Sequence, residues 1–374
     1  MSTDEHNCEE APTGAEACSR RDFLVRGSTT LAVAASAAGF AWWLYDPSGK
    51  AGLSQPRPRK LDNYFAEIDY PVDAPRLSIA RGPDERIDRM VSAALGGLGG
   101  MERFIHKGDK VLVKPNVGFQ RDPRIGATTN PEVLRHIIKE CFQAGAAEVV
   151  VTDNPIENPQ ACFAKTGIER VAKEEGARIL LPSKAHFEPI TAHTNPDGSP
   201  RQPKREKSEA LGAWPVLWTP LRDADKVIGV APVKDHNLCS ASLGMKNWYG
   251  LLGGRRNQFH QAIHEIISDL GLLVSPTLSI CDGTRVLMRN GPTGGSLADV
   301  RMGNTIIAAV DQIACDAYAY QQLLGRDPAQ LTYLELAEQK FGETPDRPYE
   351  KTRRFGRRDW TEYKRQGKIA ETNV

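Results

Sequence analysis

The stretch from Lys110 to Asp153 leaves little choice of fold class. Lys110-Val111-Leu112-Val113 is a short β-branched run that stops at Lys114-Pro115-Asn116, as a buried strand bounded by a turn former does. Thr128-Thr129-Asn130-Pro131-Glu132 follows. It supplies cap candidates, a proline at the first helical position and an acid in the first turn. That helix runs to about residue 144, where Gly145 closes it. Glu148-Val149-Val150-Val151-Thr152 is the next apolar run, with Asp153-Asn154-Pro155 as its exit. Strand, helix and strand in this order favour two parallel neighbours.

The rhythm continues. Helices are expected at about 162–175, 258–272, 313–324 and 333–341. Strands are expected at 178–181, 226–230, 277–281 (ending at Asp282-Gly283) and 304–309 (ending near Asp311). Residues 182–222 interrupt it, and an edge strand at 213–218 is weakened by Pro215. The expectation is an α/β fold: a mostly parallel, Rossmann-like sheet with helices on both faces and a polar edge at the strand carboxyl ends. Residues 66–345 would form the domain, 46–65 a Pro/Gly-rich linker and 346–374 a tail. That tail holds nine basic and five acidic residues, so a solvated terminus is its simplest reading.

Ligands of open α/β sheets sit outside the carboxyl ends of the strands, and polar residues fall at those ends here. They are Lys114 with Asn116, Asp153, Lys234 with His236, Asp282 and Asp311. After the strand at 226–230, the segment to His260 adds Lys246, Asn247, Arg255 and Arg256 among four glycines. Glycine lets a backbone approach a ligand closely. The backbone amides at Thr128, Thr129 and Asn130 make a ready anion site at a helix start. Lysines and arginine around them suit a carboxylate or phosphate. His236, Lys234 and Lys246 are therefore the catalytic candidates, His236 because an imidazole titrating near neutrality suits proton transfer. Lys114, Asn116, Thr128, Thr129, Asp153, Asn247, Arg256 and Asp282 are the binding candidates. Asp and Asn also serve turns without any function.

His260 and His264 stand four apart on an expected helix, as metal-binding pairs do. A divalent metal there competes with a plainer reading as surface or hydrogen-bonded side chains. The cysteines include no CxxC pair, so iron–sulfur and zinc-ribbon spacings are absent and small buried hydrophobes are the simpler account. No nucleophile elbow, Walker loop or complete dinucleotide fingerprint follows an expected strand. A net charge of +1 makes no case for nucleic acid.

Ser19-Arg20-Arg21-Asp22-Phe23-Leu24 matches the twin-arginine export pattern, and an apolar stretch follows. Residues 1–45 are expected to be a signal or a retained anchor. The translocase would then be a partner, membrane association would run through residues 27–45, and the location would be the periplasm or the outer face of the cytoplasmic membrane. Ala35-Ser36-Ala37 offers a cleavage site, whereas Trp42 and Trp43 beyond it suit a membrane interface.

Several of these motifs resemble domain-of-unknown-function family 362. They are Val-Leu-Val-Lys-Pro-Asn at 111–116, Thr-Thr-Asn-Pro-Glu-Val at 128–133 and Val-Val-Thr-Asp-Asn-Pro at 150–155. The series Lys234, His236, Met245-Lys246-Asn247, Gly250, Arg256 and His260 belongs with them. So do Cys281-Asp282-Gly283, Gly291–Gly295 and Asp311–Ala317. Members often carry Thr where this chain has Asp235. Many relatives add a ferredoxin-like domain, which the ligand spacings here do not supply. The resemblance implies no settled activity; a fainter one, to the nickel-dependent lactate racemase group, is analogy alone. Two functions stay open. One is an exported enzyme acting on a small anionic carboxylate or phosphate. The other is a non-catalytic protein of the cell envelope that binds a metal, cofactor or partner. Substitutions that lower rate without lowering affinity would mark the enzyme.

Overall fold

The computed structural model of the chain describes residues 64–65, 68–190, 211–342 and 358–374. The expected export segment, and the linker apart from Tyr64 and Phe65, lie outside them. The strands are β1 (Leu77–Arg81), β2 (Lys110–Lys114), β3 (Glu148–Val151), β4 (Arg178–Ile179), β5 (Phe187–Ile190), β6 (Trp214–Leu217), β7 (Lys226–His236), β8 (Ser240–Ser242), β9 (Leu278–Leu287), β10 (Val300–Ala309) and β11 (Ile369–Asn373). Nine of them form one sheet in the order β11-β1-β10-β9-β7-β2-β3-β4, with β8 paired to β7. The run from β9 through β7, β2 and β3 to β4 is parallel throughout. β10 runs antiparallel to both β1 and β9. β5 and β6 make a separate antiparallel pair, so Pro215 sits in a two-stranded ribbon, where a missing donor is tolerated.

The helices are α1 (Ile87–Gly96), α2 (Pro131–Gln143), α3 (Pro159–Lys165), α4 (Ile168–Glu174), α5 (Trp218–Arg222), α6 (Gly244–Asn247), α7 (Ile263–Leu273), α8 (Gln312–Gln322), α9 (Thr332–Gly342) and α10 (Thr361–Arg365). Side chains alternate across a strand, so the sheet carries a core on each face. Val111, Val113, Val149, Val151, Ile228 and Val230 pack with α1, α2 and α4 through Met90, Ile137 and Val171. Leu112, Val150 and Val227 face the opposite side, with Ile266, Leu270, Tyr318 and Leu334 of α7, α8 and α9. Asn130 caps α2 by accepting from the Glu132 amide, with Pro131 at the first position.

Several elements depart from expectation, each for a local reason. The strand expected at 226–230 runs on to His236, because β8 folds back on it and pairs Lys234 with Ser242 and His236 with Ser240. Pro232, which has no amide to donate, lies at the register shift against β9. Lys234 and His236 are thus strand residues, not loop residues. β9 likewise continues past Asp282, which sits in mid-strand opposite Ile306 and Pro232. Since β10 is antiparallel, its carboxyl end puts Asp311 on the edge opposite Lys114. There Asp311 caps α8 by accepting from the Ile313 and Ala314 amides.

The helix expected at 162–175 is split at Gly167, whose φ of 75° is left-handed. The helix expected at 258–272 begins instead as a 3-10 segment, Arg256–Ala262, ahead of α7. The basic terminus is no solvated tail over its last stretch: β11 joins the sheet parallel to β1. Among the described residues no helix is long and apolar enough to cross a membrane.

Candidate functional site

The carboxyl ends of β2 and β3 and the far end of β7 open onto a pocket of about 220 Å3. Asn116, Asp153, Lys234, His236, Lys246, Asn247, Arg256 and His260 all line it. These are eight of the residues singled out from the sequence. Lys114 lies directly behind them. Thr128, Thr129, Asp282 and His264 lie outside the lining.

The floor is a buried ion pair. Lys114 Nζ lies 2.7 Å from Asp153 Oδ1, and neither side chain is more than 2% exposed. Lys114 also donates to Asn247 Oδ1 at 2.8 Å. The same oxygen accepts from Asn116 Nδ2 at 3.2 Å, while Asn247 Nδ2 donates to the Lys114 carbonyl at 3.1 Å. Asp153 accepts further from the amides of Val117 (2.6 Å) and Asn154 (2.9 Å). The one carboxylate of the lining is therefore fully committed. Asn116 and Asn247, expected as ligand contacts, spend their amides on this network. Gly250 closes it from above, because a β-carbon there would overlap Asp153 Oδ1 and stand 2.7 Å from Lys114 Nζ.

Among the described residues the other cations of the site pair with no carboxylate. Lys234 Nζ donates to the Ala127 carbonyl and to Asn116 Oδ1 at 3.3 Å, and sits 5.2 Å from the centre of the Phe119 ring. Burial, then Lys246 nearby, pulls its pKa down to about 7. Among the described residues Lys246 pairs with no carboxylate or carbonyl; it lies over the Tyr249 ring, 4.0 Å from the centroid. Burial lowers it to about 8, with Arg256 and Lys114 adding to the effect. Arg256, by contrast, is a strut. It donates to the carbonyls of Leu252 (3.2 Å), Asn154 (2.8 Å) and Pro155 (3.0 Å), tying the loop after β3 to the segment after α6.

His236 does not titrate near neutrality. Burial, then the charges of Lys246 and Lys234, pushes it down to about 3. Its Nδ1 accepts from the Leu238 amide at 3.1 Å, so the neutral ring keeps its proton on Nε2 and offers a donor. α6 carries Lys246 to this place for a core reason. Asp316 accepts from the Gly244 and Met245 amides at 2.8 and 2.9 Å, and Trp248 just after α6 is buried with its indole donating to Gln312.

The expected anion site at Thr128–Asn130 is already filled by the chain itself. The Asn130 amide donates to Asp282 Oδ2 at 2.8 Å, and the Thr129 amide donates to the Asn116 carbonyl. Asp282 also takes the Thr284 hydroxyl and amide. Thr129 Oγ1 braces β7 by donating to the Val230 carbonyl. Thr128 is buried beside them. Thr129, Asn130 and Asp282 hold the sheet edge together, the Thr128 hydroxyl finds no hydrogen-bond partner among the described residues, and none of the four lines the pocket.

The two histidines of the expected metal pair pack on different tyrosines. His260 belongs to the 3-10 segment and stacks on Tyr249 at 5.9 Å, whereas His264, in α7, stacks on Tyr333 at 6.2 Å. Burial lowers the pKa of both. Among the described residues the group compact enough to offer three ligands to a metal is Cys281, Cys315 and Asp316, all buried. Burial raises Asp316 to about 7. Its two oxygens already cap α6, so it reads as a structural brace. All five described cysteines are free and buried.

The sequence profile described as Domain of unknown function (DUF362) matches residues 111–321, more than half of the chain. The chain belongs to that family. The matched span includes every lining residue of the pocket. Another protein similar to this DUF362 chain is the thylakoid-associated protein sll1697 of Synechocystis sp., 26% identical over 260 residues that cover 66% of this chain and 73% of that one. Among solved structures, the lactate racemase apoprotein from Thermoanaerobacterium thermosaccharolyticum aligns at 13% identity with a TM-score of 0.33. The alignment covers 68% of this chain and 59% of that one. A likeness that distant carries no weight for the function of this DUF362 chain.

Phe119, Asn154, Ile156, Leu238 and Tyr249 also line the pocket. Asn154 and Ile156 lie within three residues after Asp153, so their place at a strand exit was a usable signal. Nothing in residue type marked Leu238, because the β7–β8 hairpin that presents it was expected to be an irregular loop.

Proposed function

We propose that this DUF362 protein is an enzyme that takes a small carboxylate- or phosphate-bearing substrate in the pocket of Lys234 and Lys246. The observation that carries this reading is the charge count at the site. Lys114, Lys234, Lys246 and Arg256 surround one carboxylate, and that carboxylate is consumed by Lys114 and two amides. Desolvated cations without a counter-ion are expensive to hold; a bound anion removes that expense. At about 220 Å3 the pocket falls below the roughly 300–1,000 Å3 of drug-sized sites, so the substrate is small.

The roles follow from the protonation states. Lys246, poised near pH 8 and paired with no carboxylate among the described residues, is the group that exchanges a proton with the bound substrate. Lys234 holds the anionic end, and His236 donates through Nε2. A DUF362 chain carrying a twin-arginine pattern at Ser19–Leu24 would act after export. Changing Arg20 and Arg21 to Lys is expected to leave the protein in the cytoplasm. Unchanged fractionation outside the cytoplasm would refute that route.

The pH dependence tests the site directly. A bound anion raises the pKa of Lys234 and Lys246 above their free values of about 7 and about 8. Binding therefore takes up protons. Affinity for acetate is expected to be greatest below pH 7 and to fall as pH rises through 7 to 9, by at most about tenfold per unit for each titrating amine. Calorimetry at pH 8 in buffers of different ionisation enthalpy should register the uptake. Affinity that is flat from pH 6 to 9 would contradict the assignment.

A further inference from the structure

We infer that the ligand of this pocket is amphiphilic: a small anionic head on the lysine floor, with an apolar tail leaving between Ile156 and Leu238. This rests on the anion-binding reading above and adds the substrate class. Lys234 is buried, whereas Phe119, Ile156, Leu238 and Pro292 add apolar side chains to a lining otherwise rich in asparagine. Five large apolar side chains are well exposed among the described residues: Val72, Ile156, Leu238, Leu297 and Met302. Single exposed residues of this kind are ordinary. Two of these five, however, border the same pocket, Ile156 at 61% exposure and Leu238 at 48%.

They come from different loops, and each is pinned. The Ile156 amide donates to the Gly118 carbonyl at 3.1 Å, which joins the loop after β3 to the loop after β2. The Leu238 amide donates to His236 Nδ1 at 3.1 Å. Phe119 lines the wall beneath them, its ring beside Lys234 Nζ. From floor to rim the path thus runs cation, aromatic face, aliphatic side chain. That order matches a carboxylate or phosphate monoester bearing an alkyl or aryl group. A purely polar metabolite would leave the rim in water at no gain, while a tail laid across it removes apolar surface from water on both partners.

The test is a ladder of straight-chain carboxylates, acetate, butanoate, hexanoate and octanoate, titrated calorimetrically into the full chain. Affinity is expected to tighten about threefold to fourfold per methylene while the tail is still within the rim. The double variant Ile156→Asn/Leu238→Asn should flatten that slope, and Lys246→Met should weaken every member of the ladder by one common factor while keeping the slope. Both rim residues are exposed, so the double variant is expected to melt with the parent. Acetate binding with no dependence on chain length would overturn the amphiphile and leave the anion site standing. A slope that survives in the double variant would place the tail elsewhere and overturn it too. If the slope is absent and the rim residues instead govern binding to vesicles of anionic lipid, the rim is a membrane contact and the inference fails. If no carboxylate binds at all, the anion reading falls with it.

Discussion

Lys114→Met is expected to lower the stability of the folded protein by about 3–5 kcal/mol, the scale for removing one partner of a buried ion pair. Methionine fills most of the lysine's volume, so the loss comes from charge and hydrogen bonding and not from a cavity. Asp153 keeps the amides of Val117 and Asn154 but loses its cation, and Asn247 Oδ1 loses its 2.8 Å donor. Because Asn247 anchors the end of α6, the place of Lys246 should shift as well. Urea denaturation of the variant measures the loss. A change below about 1 kcal/mol would mean that the pair is not held in the closed, dry state described here.

Gly250→Ala should be nearly as damaging for a different reason. The added methyl has nowhere to go: it meets Asp153 Oδ1 and stands 2.7 Å from Lys114 Nζ. Both groups are fixed by several hydrogen bonds, and the glycine's own carbonyl accepts from the Asn154 amide at 3.0 Å. Overpacking of this kind costs about 1–3 kcal/mol, and here the upper end is expected because the displaced atoms are ionic. Thermal melting of the variant, with acetate titrated in parallel, should show both a lower midpoint and weakened binding. A parent-like melting temperature would place Gly250 away from the pair.

Much of the fold was legible because burial leaves a trace in residue type. The β-branched runs at 110–114 and 148–151 and the Asn130-Pro131 start of α2 all stand where local chemistry placed them. What could not be read was set by pairing across the sheet. Nothing in Ala231–His236 announces that β8 will fold back on it. Nothing in Asp282-Gly283 says that β9 continues because β10 lies antiparallel beside it. β1 and β11 went unnoticed for the same reason: each is five residues long, and β11 is largely exposed.

The candidate site divides along the same line. Residue type was enough to gather Lys234, His236, Lys246 and Asp153 at one sheet edge. The division of labour among them depends on partners that only the fold supplies. Asp282 takes the anion's place at the start of α2, and Arg256 is spent on backbone carbonyls. The imidazole of His236 is held neutral by its burial and then by the charges of Lys246 and Lys234. Among the described residues Lys246 is left as an amine that meets an aromatic face and no carboxylate, which no sequence pattern distinguishes from Lys114.

On the reading proposed above, Lys246 faces an anion in a pocket built for one. A single comparison decides it: titration of acetate and inorganic phosphate into the parent protein and into Lys246→Ala, with a thermal melt of each unliganded protein. Loss of one charged hydrogen bond predicts binding weaker by about 1.5–3 kcal/mol, with the melting temperature of the free protein unchanged or raised by relief of a desolvated charge. A large fall in melting temperature with affinity intact would make Lys246 a structural residue, and the pocket would not be its anion site.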